Sequence, residues 1–170
     1  VKSEVQSAIS SIEYYYNLSD SGKIDEATAK KDALEALRNL RYGDDDSGYF
    51  WVDDTDYNLV MHPILPEQEG TNRYDLTDKN GVKIIQSIMK TAESGGGFNE
   101  FYFTKSDGKT VAPKVAYSQK FDKWNWVITT GIYSDDIHEI VNKSDGLRRI
   151  VKIFNGSANF LIVVGIVLVL

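Results

Sequence analysis

The chain has 170 residues, of which 42% are hydrophobic and 26% charged, with 19 basic against 25 acidic side chains and no cysteine. That length suits one domain with room for a true core. The missing cysteines exclude a disulfide scaffold, thiolate chemistry and cysteine-based metal sites, and the net charge of −6 argues against nucleic-acid binding, which needs a basic footprint.

In chain order, Val5, Ile9, Ile12 and Tyr16 recur at helical spacing. Asn17 to Gly22 interrupts the pattern, and a second helical run places Ala33, Leu37 and Leu40 on one face with Asp25 as its cap. Strand signals follow after Gly48: Tyr49 to Val52 is aromatic and β-branched, Asp53 to Asp56 reads as a solvent-exposed acidic turn, and Tyr57 to His62 completes a hairpin. Residues 63–77 form a structured loop. Thr77 or Asp78 is placed to cap a short helix carrying Val82, Ile85, Met89 and Ala92. Three further strands are expected at Phe98–Thr104, Val111–Phe121 and Trp126–Tyr133, joined by the Asp107-Gly108 turn and by a tight connection from Asp122 to Asn125. A final helix begins near Ser134, with Ile137, Ile140, Val141, Leu147, Ile150 and Ile153 on its apolar face, and runs towards FLIVVGIVLVL at 160–170. Eleven apolar residues are about half of a membrane span, so this segment is expected to start one. The basic Arg148, Arg149 and Lys152 before it run against the usual cytoplasmic placement of positive charge. Hairpin-linked strands with helices on their faces define an α+β class with an antiparallel sheet.

Catalytic signatures are missing: the sequence holds no GxSxG, HExxH or phosphate-cradling loop. Asp44, Asp45 and Asp46 with Asp53, Asp54 and Asp56 lack the central Gly and terminal Glu of a calcium loop. No enzyme activity, metal or cofactor is expected. Binding chemistry is better represented. Lys114 sits within a small, apolar strand, where a lysine is costly unless it is paired; an internal acid, an edge-strand role or an anionic ligand would each account for it. Tyr49 and Trp51 share a strand face by alternation and present a hydroxyl and an indole N–H, while Phe50 and Val52 face the other way as core. His62 ends its strand before Pro63, either as a satisfied structural histidine or as a donor. Arg73 in the following loop is either solvated or closes over a carboxylate. Tyr117 adds a hydroxyl, but its parity is opposite to that of Lys114, so the two share a pocket only across a bulge or if one lies at the rim. All six are hydrogen-bond donors, which suits a small monocarboxylate of the acetate, propionate, pyruvate or lactate class.

The segments GYFWVDDTDYNLVMHP, EGTNRYDLTDKNG and APKVAYSQKFDKWNWVITTGIYSDDI, preceded by EYYYNLSDSGKIDEATAKKDALEALRNLRYG, resemble in their order the single Cache domain, an extracytoplasmic sensor module of bacterial chemoreceptors and sensor kinases. The resemblance covers nearly all of the chain before the apolar tail. It implies a PAS-like five-stranded antiparallel sheet with a long N-terminal helix along one side and a ligand pocket on the other. It also implies a homodimer, a membrane anchor, and a cytoplasmic output module reached through the C-terminal helix. The organisation expected is a helical region at 1–47, a sensor core at 48–133, a membrane-proximal helix at 134–157 and the start of a span at 158–170. One departure is Asp56-Tyr57 at the first turn, where the family often has Gly. The function so implied is an extracytoplasmic, inner-membrane-anchored sensor of small organic acids in a chemoreceptor. The alternatives are the sensor of a histidine kinase or a ligand-free interaction domain.

Overall fold

The computed structural model describes residues 1–43, 46–105 and 107–137. Helix α1, Lys2–Asp20, buries Val5, Ala8 and Ile12, with Ile9 and Tyr16 half-buried at the edge of the same stripe. The chain turns at Gly22, whose φ of +73° suits a residue without Cβ. It then enters α2, Glu26–Asn39. Asp25 caps α2 as expected, its carboxylate accepting the Thr28 N–H at 2.9 Å. Ala29, Ala33 and Leu37 form its buried face, whereas Leu40 lies past the helix end and is exposed.

Five antiparallel strands follow: β1 Phe50–Asp54, β2 Leu59–Met61, β3 Gly97–Thr104, β4 Val111–Phe121 and β5 Trp126–Tyr133. They form one sheet in the order β2-β1-β5-β4-β3. The three later strands match the expected limits almost residue for residue. The first hairpin differs. β1 runs on through Asp53 to Asp54, so the turn spans 54–58, and Asp53 is fully buried rather than part of an exposed acidic turn. The ladder shifts between Val52 and Asp53, which leaves Val60 bulged, and Tyr57 holds a φ of +69° at the turn where the resemblance led one to look for glycine.

The pleat sorts side chains between two cores. On one face Phe50, Val52, Met61, Phe121, Trp126 and Ile128 pack with α1 and α2. On the other, Tyr49, Trp51, Leu59, Phe101, Ala116 and Val127 pack with α3, Ile84–Glu93. Helix α3 buries Ile84, Ile85, Ile88, Met89 and Ala92, each large side chain contributing about 1.5–3 kcal/mol by leaving water. Asp78 does not cap it: its carboxylate accepts the N–H groups of Asn80, Val82 and, on β3, Tyr102, stapling the loop to the sheet. Among the described residues no helix is long and apolar enough to cross a membrane. A second compact unit begins at Tyr133, and within it 134–137 are helical. The rest of the expected terminal helix and the apolar tail lie outside the described residues.

Candidate functional site

Among the described residues, Lys114 on β4 is the largest side chain that is fully buried, at 1% exposure. Its Nζ donates to Tyr49 Oη at 2.9 Å and lies 4.3 Å from the Tyr49 ring centre, 4.9 Å from that of Trp51 and 5.8 Å from that of Phe103. Aromatic faces attract a cation, but they do not replace water. Burial therefore lowers the ammonium pKa from 10.5 to about 7.

His62 completes the group. Its ring lies 5.3 Å from that of Tyr49, 6.0 Å from Trp51 in a stacked arrangement and 6.3 Å from Phe103. The chain turns immediately after it, and Nδ1 accepts the N–H groups of both Ile64 and Leu65 at 3.1 Å. An acceptor Nδ1 assigns the proton of the neutral ring to Nε2, which makes His62 a donor from its far side. Burial, followed by the charges of Arg73, Lys114 and Arg38, lowers its pKa to about 3, so the ring is neutral across the physiological range. Its backbone N–H donates to Glu69 Oε1 at 2.8 Å. Burial works against the Glu69 carboxylate, but hydrogen bonds from Arg38 and from this N–H keep its pKa below the ordinary value.

Arg73 is neither solvated nor open. It is 5% exposed and donates through both Nε and Nη2 to Asp53 Oδ1. Burial pushes the Asp53 carboxyl up, opposed by Arg73. Asp53 Oδ2 and, two residues earlier on the same strand face, Trp51 Nε1 are buried without a hydrogen-bond partner. The structure thus gathers Tyr49, Trp51, His62 and Lys114 into one aromatic-walled cluster, with Arg73 close enough for its charge to act on His62. Tyr117 is not brought there. The β3–β4 register runs unbroken from Gly97↔Ser118 to Thr104↔Val111, so no bulge corrects its parity. Its ring packs in the opposite core, edge-on to Phe98 at 5.0 Å.

Two members escaped the sequence reading. Phe103 pairs with Ala112, two positions along β4 from Lys114, and so shares its face; the Asp107-Gly108 turn fixes that register. Asp53 follows Tyr49 and Trp51 at alternate positions on a strand, and that parity was the available signal. No group of three His, Cys, Asp or Glu side chains suited to a metal occurs among the described residues.

An antiparallel sheet with helices along one face, and buried donors among aromatic rings on the other, defines a PAS-like sensor architecture. The chain belongs to the single Cache domain 2 family, whose sequence profile matches residues 1–145. It is 38% identical over 146 residues to the sensor histidine kinase MctS of Rhizobium johnstonii, covering 85% of this chain and 31% of that protein. It is 30% identical over 134 residues to the methyl-accepting chemotaxis protein McpP of Pseudomonas putida, covering 78% of this chain and 24% of that protein. The chain therefore spans about a quarter to a third of the length of these relatives. Among solved structures, a periplasmic sensor domain of a chemotaxis protein aligns with a TM-score of 0.74 at 32% identity, covering 78% of this chain and 91% of the other. A Cache chemosensory domain described in terms of carboxylic acid recognition aligns with a TM-score of 0.74 at 27% identity, covering 78% and 89%. This chain is a Cache sensor domain of the kind carried by chemoreceptors and sensor histidine kinases.

Proposed function

We propose that the chain is the extracytoplasmic sensor of a membrane-anchored, dimeric receptor, and that it binds a small monocarboxylate beside Lys114. The observation that carries this reading is a fully buried lysine ammonium against Tyr49 Oη, ringed by Trp51, Phe103 and the donor face of His62. The carboxylate would take charge-assisted hydrogen bonds from Lys114 Nζ and a bond from His62 Nε2–H, with its short alkyl end against the rings. Arg73 contributes positive potential from its pair with Asp53 rather than a free guanidinium. The related domain described for carboxylic acid recognition supports this ligand class. The output module is that of a chemoreceptor, or of a histidine kinase; the 38% identity with MctS favours weighing the second equally.

The test is calorimetry and thermal unfolding of the chain with acetate, propionate, pyruvate and lactate. An acid at 100 times its Kd should add about 2.7 kcal/mol to stability, which raises Tm by roughly 5–11 °C for a chain of this size. Binding of none of the four acids overturns the reading.

A further inference from the structure

The ligand cluster and the N-terminal helices occupy opposite faces of the sheet, separated by β1 and β2. Two polar chains pass between these layers: the first starts at Arg38 in the last turn of α2, the second at Tyr42, just past the end of that helix. In the first, Arg38 meets Glu69 as a two-point pair, Nη1 to Oε1 at 2.7 Å and Nη2 to Oε2 at 2.9 Å. The same Oε1 accepts the His62 backbone N–H at 2.8 Å. The link runs round the β2 edge of the sheet, since His62 immediately follows β2. In the second, the hydroxyl of Tyr42 shares a 2.6 Å hydrogen bond with Thr130 Oγ1, and that oxygen donates to the Tyr49 carbonyl at 2.5 Å. Tyr42 is fixed in place by Gly48: the two exchange backbone hydrogen bonds, and a Cβ at position 48 would lie 2.5 Å from the Tyr42 ring.

The geometry matters because it bears on how the His62 turn is held. The strand ends at Met61, and the ring is held by N–H groups of its own turn. The backbone N–H of His62 ties this turn to Glu69, and Glu69 is oriented in turn by Arg38. The bidentate fork fixes the carboxylate in direction as well as distance. Tyr49 and His62, two walls of the cluster, are thus both tied to residues 38–42.

We propose that Arg38 and Glu69 are positioning residues of the ligand cluster, and that through them and Tyr42 the C-terminal end of α2 is coupled to occupancy of that site. The proposal rests on the ligand reading above for its term "occupancy". Reciprocity is required: if a bound acid shifts the end of α2, loosening that end must weaken the acid by the same factor.

The test uses the 170-residue chain with propionate as probe and the variants Arg38→Met, Arg38→Lys and Glu69→Gln. Arg38→Met is expected to weaken propionate about fivefold or more while the circular dichroism spectrum is unchanged. Arg38→Lys, which restores the charge without the fork, recovers part of the loss. Combining Arg38→Met with Glu69→Gln weakens binding no further than the worse single variant. At saturating propionate, amide exchange in the last turn of α2 slows in the wild-type chain and not in Arg38→Met. A ligand-free measurement stands beside these. The chain has two histidines, so the His62 ring resonances are readily assigned, and they should move in Arg38→Met. Unmoved His62 resonances, or an affinity within twofold of wild type, overturns the proposal. Should the wild-type chain bind no propionate, whichever of acetate, pyruvate and lactate it binds serves as the probe; if it binds none, the ligand reading falls, and the His62 resonances alone decide whether Arg38 positions that ring.

Discussion

Lys114→Met is expected to make the ligand-free chain more stable and to abolish its response to small acids. Methionine keeps the length and the unbranched stem of lysine while removing the ammonium. In the folded chain the lysine pKa falls from 10.5 to about 7 because its charge is buried. The sign follows from proton counts: between those values the unfolded chain binds more protons than the folded one, so stability rises with pH from about 7 towards 10.5. At neutral pH the burden of the buried amine is on the order of 4 kcal/mol, at about 1.4 kcal/mol per tenfold. Cation–π contact and the Tyr49 hydroxyl are lost with the charge, which leaves a net gain of about 2 kcal/mol and a Tm increase of roughly 4–8 °C. Affinity carries the same signature. A carboxylate needs the ammonium, so propionate affinity should fall about tenfold between pH 6 and pH 8 as the ligand-free lysine loses its proton, although the acid itself stays ionised throughout. Calorimetry at several pH values and thermal unfolding at pH 6.5 measure both. A Met variant that is less stable than wild type, or one that still answers propionate, refutes the reasoning.

His62 imposes a slope of the same sign in a lower pH window. It is neutral in the fold down to about pH 3 but takes a proton near 6.5 when unfolded, so stability should fall as pH drops through that window; His62→Gln should flatten the fall in an acid-unfolding series. Asp53→Asn leaves the Arg73 guanidinium buried without its counter-charge and should cost about 3–5 kcal/mol in urea unfolding; a loss below 1 kcal/mol would show that the pair is not closed in solution. Tyr117→Phe should leave propionate affinity within twofold, because Tyr117 lies in the core on the helical face; a tenfold loss would place its hydroxyl at the ligand.

Most of the fold was legible because its signals are local. The Asp107-Gly108 turn sets the β3–β4 hairpin, and Asp25 caps α2 through a bond three residues long. The mistaken limits share a different cause. Asp53 has the propensity of a turn residue, yet it extends β1 into the interior because Arg73, twenty residues later, supplies its counter-charge. Asp78 stands where a helix cap would, yet it spends its acceptors on its own turn and on β3. In both cases a long-range partner overrides local preference. The site behaved the same way. Parity alone placed Tyr49 with Trp51 and set Tyr117 apart from Lys114, but no pattern in the sequence shows that Glu69 joins Arg38 to His62.

A buried lysine is a poor structural element and a good detector. The acidic chain gains nothing for solubility from a hidden cation, and the ammonium is held at a pKa of about 7 by an environment that disfavours its charge. On the ligand reading proposed above, an arriving carboxylate would reverse that balance, restoring the ammonium's preference for its proton and drawing it towards the new partner. The free energy released is differential, present with ligand and missing without it, and only such a difference shifts a population between two arrangements. A coupling of about 1–3 kcal/mol is enough for signalling. Where that energy is delivered depends on what the site's walls are tied to, and in this fold both Tyr49 and His62 are tied to the end of α2.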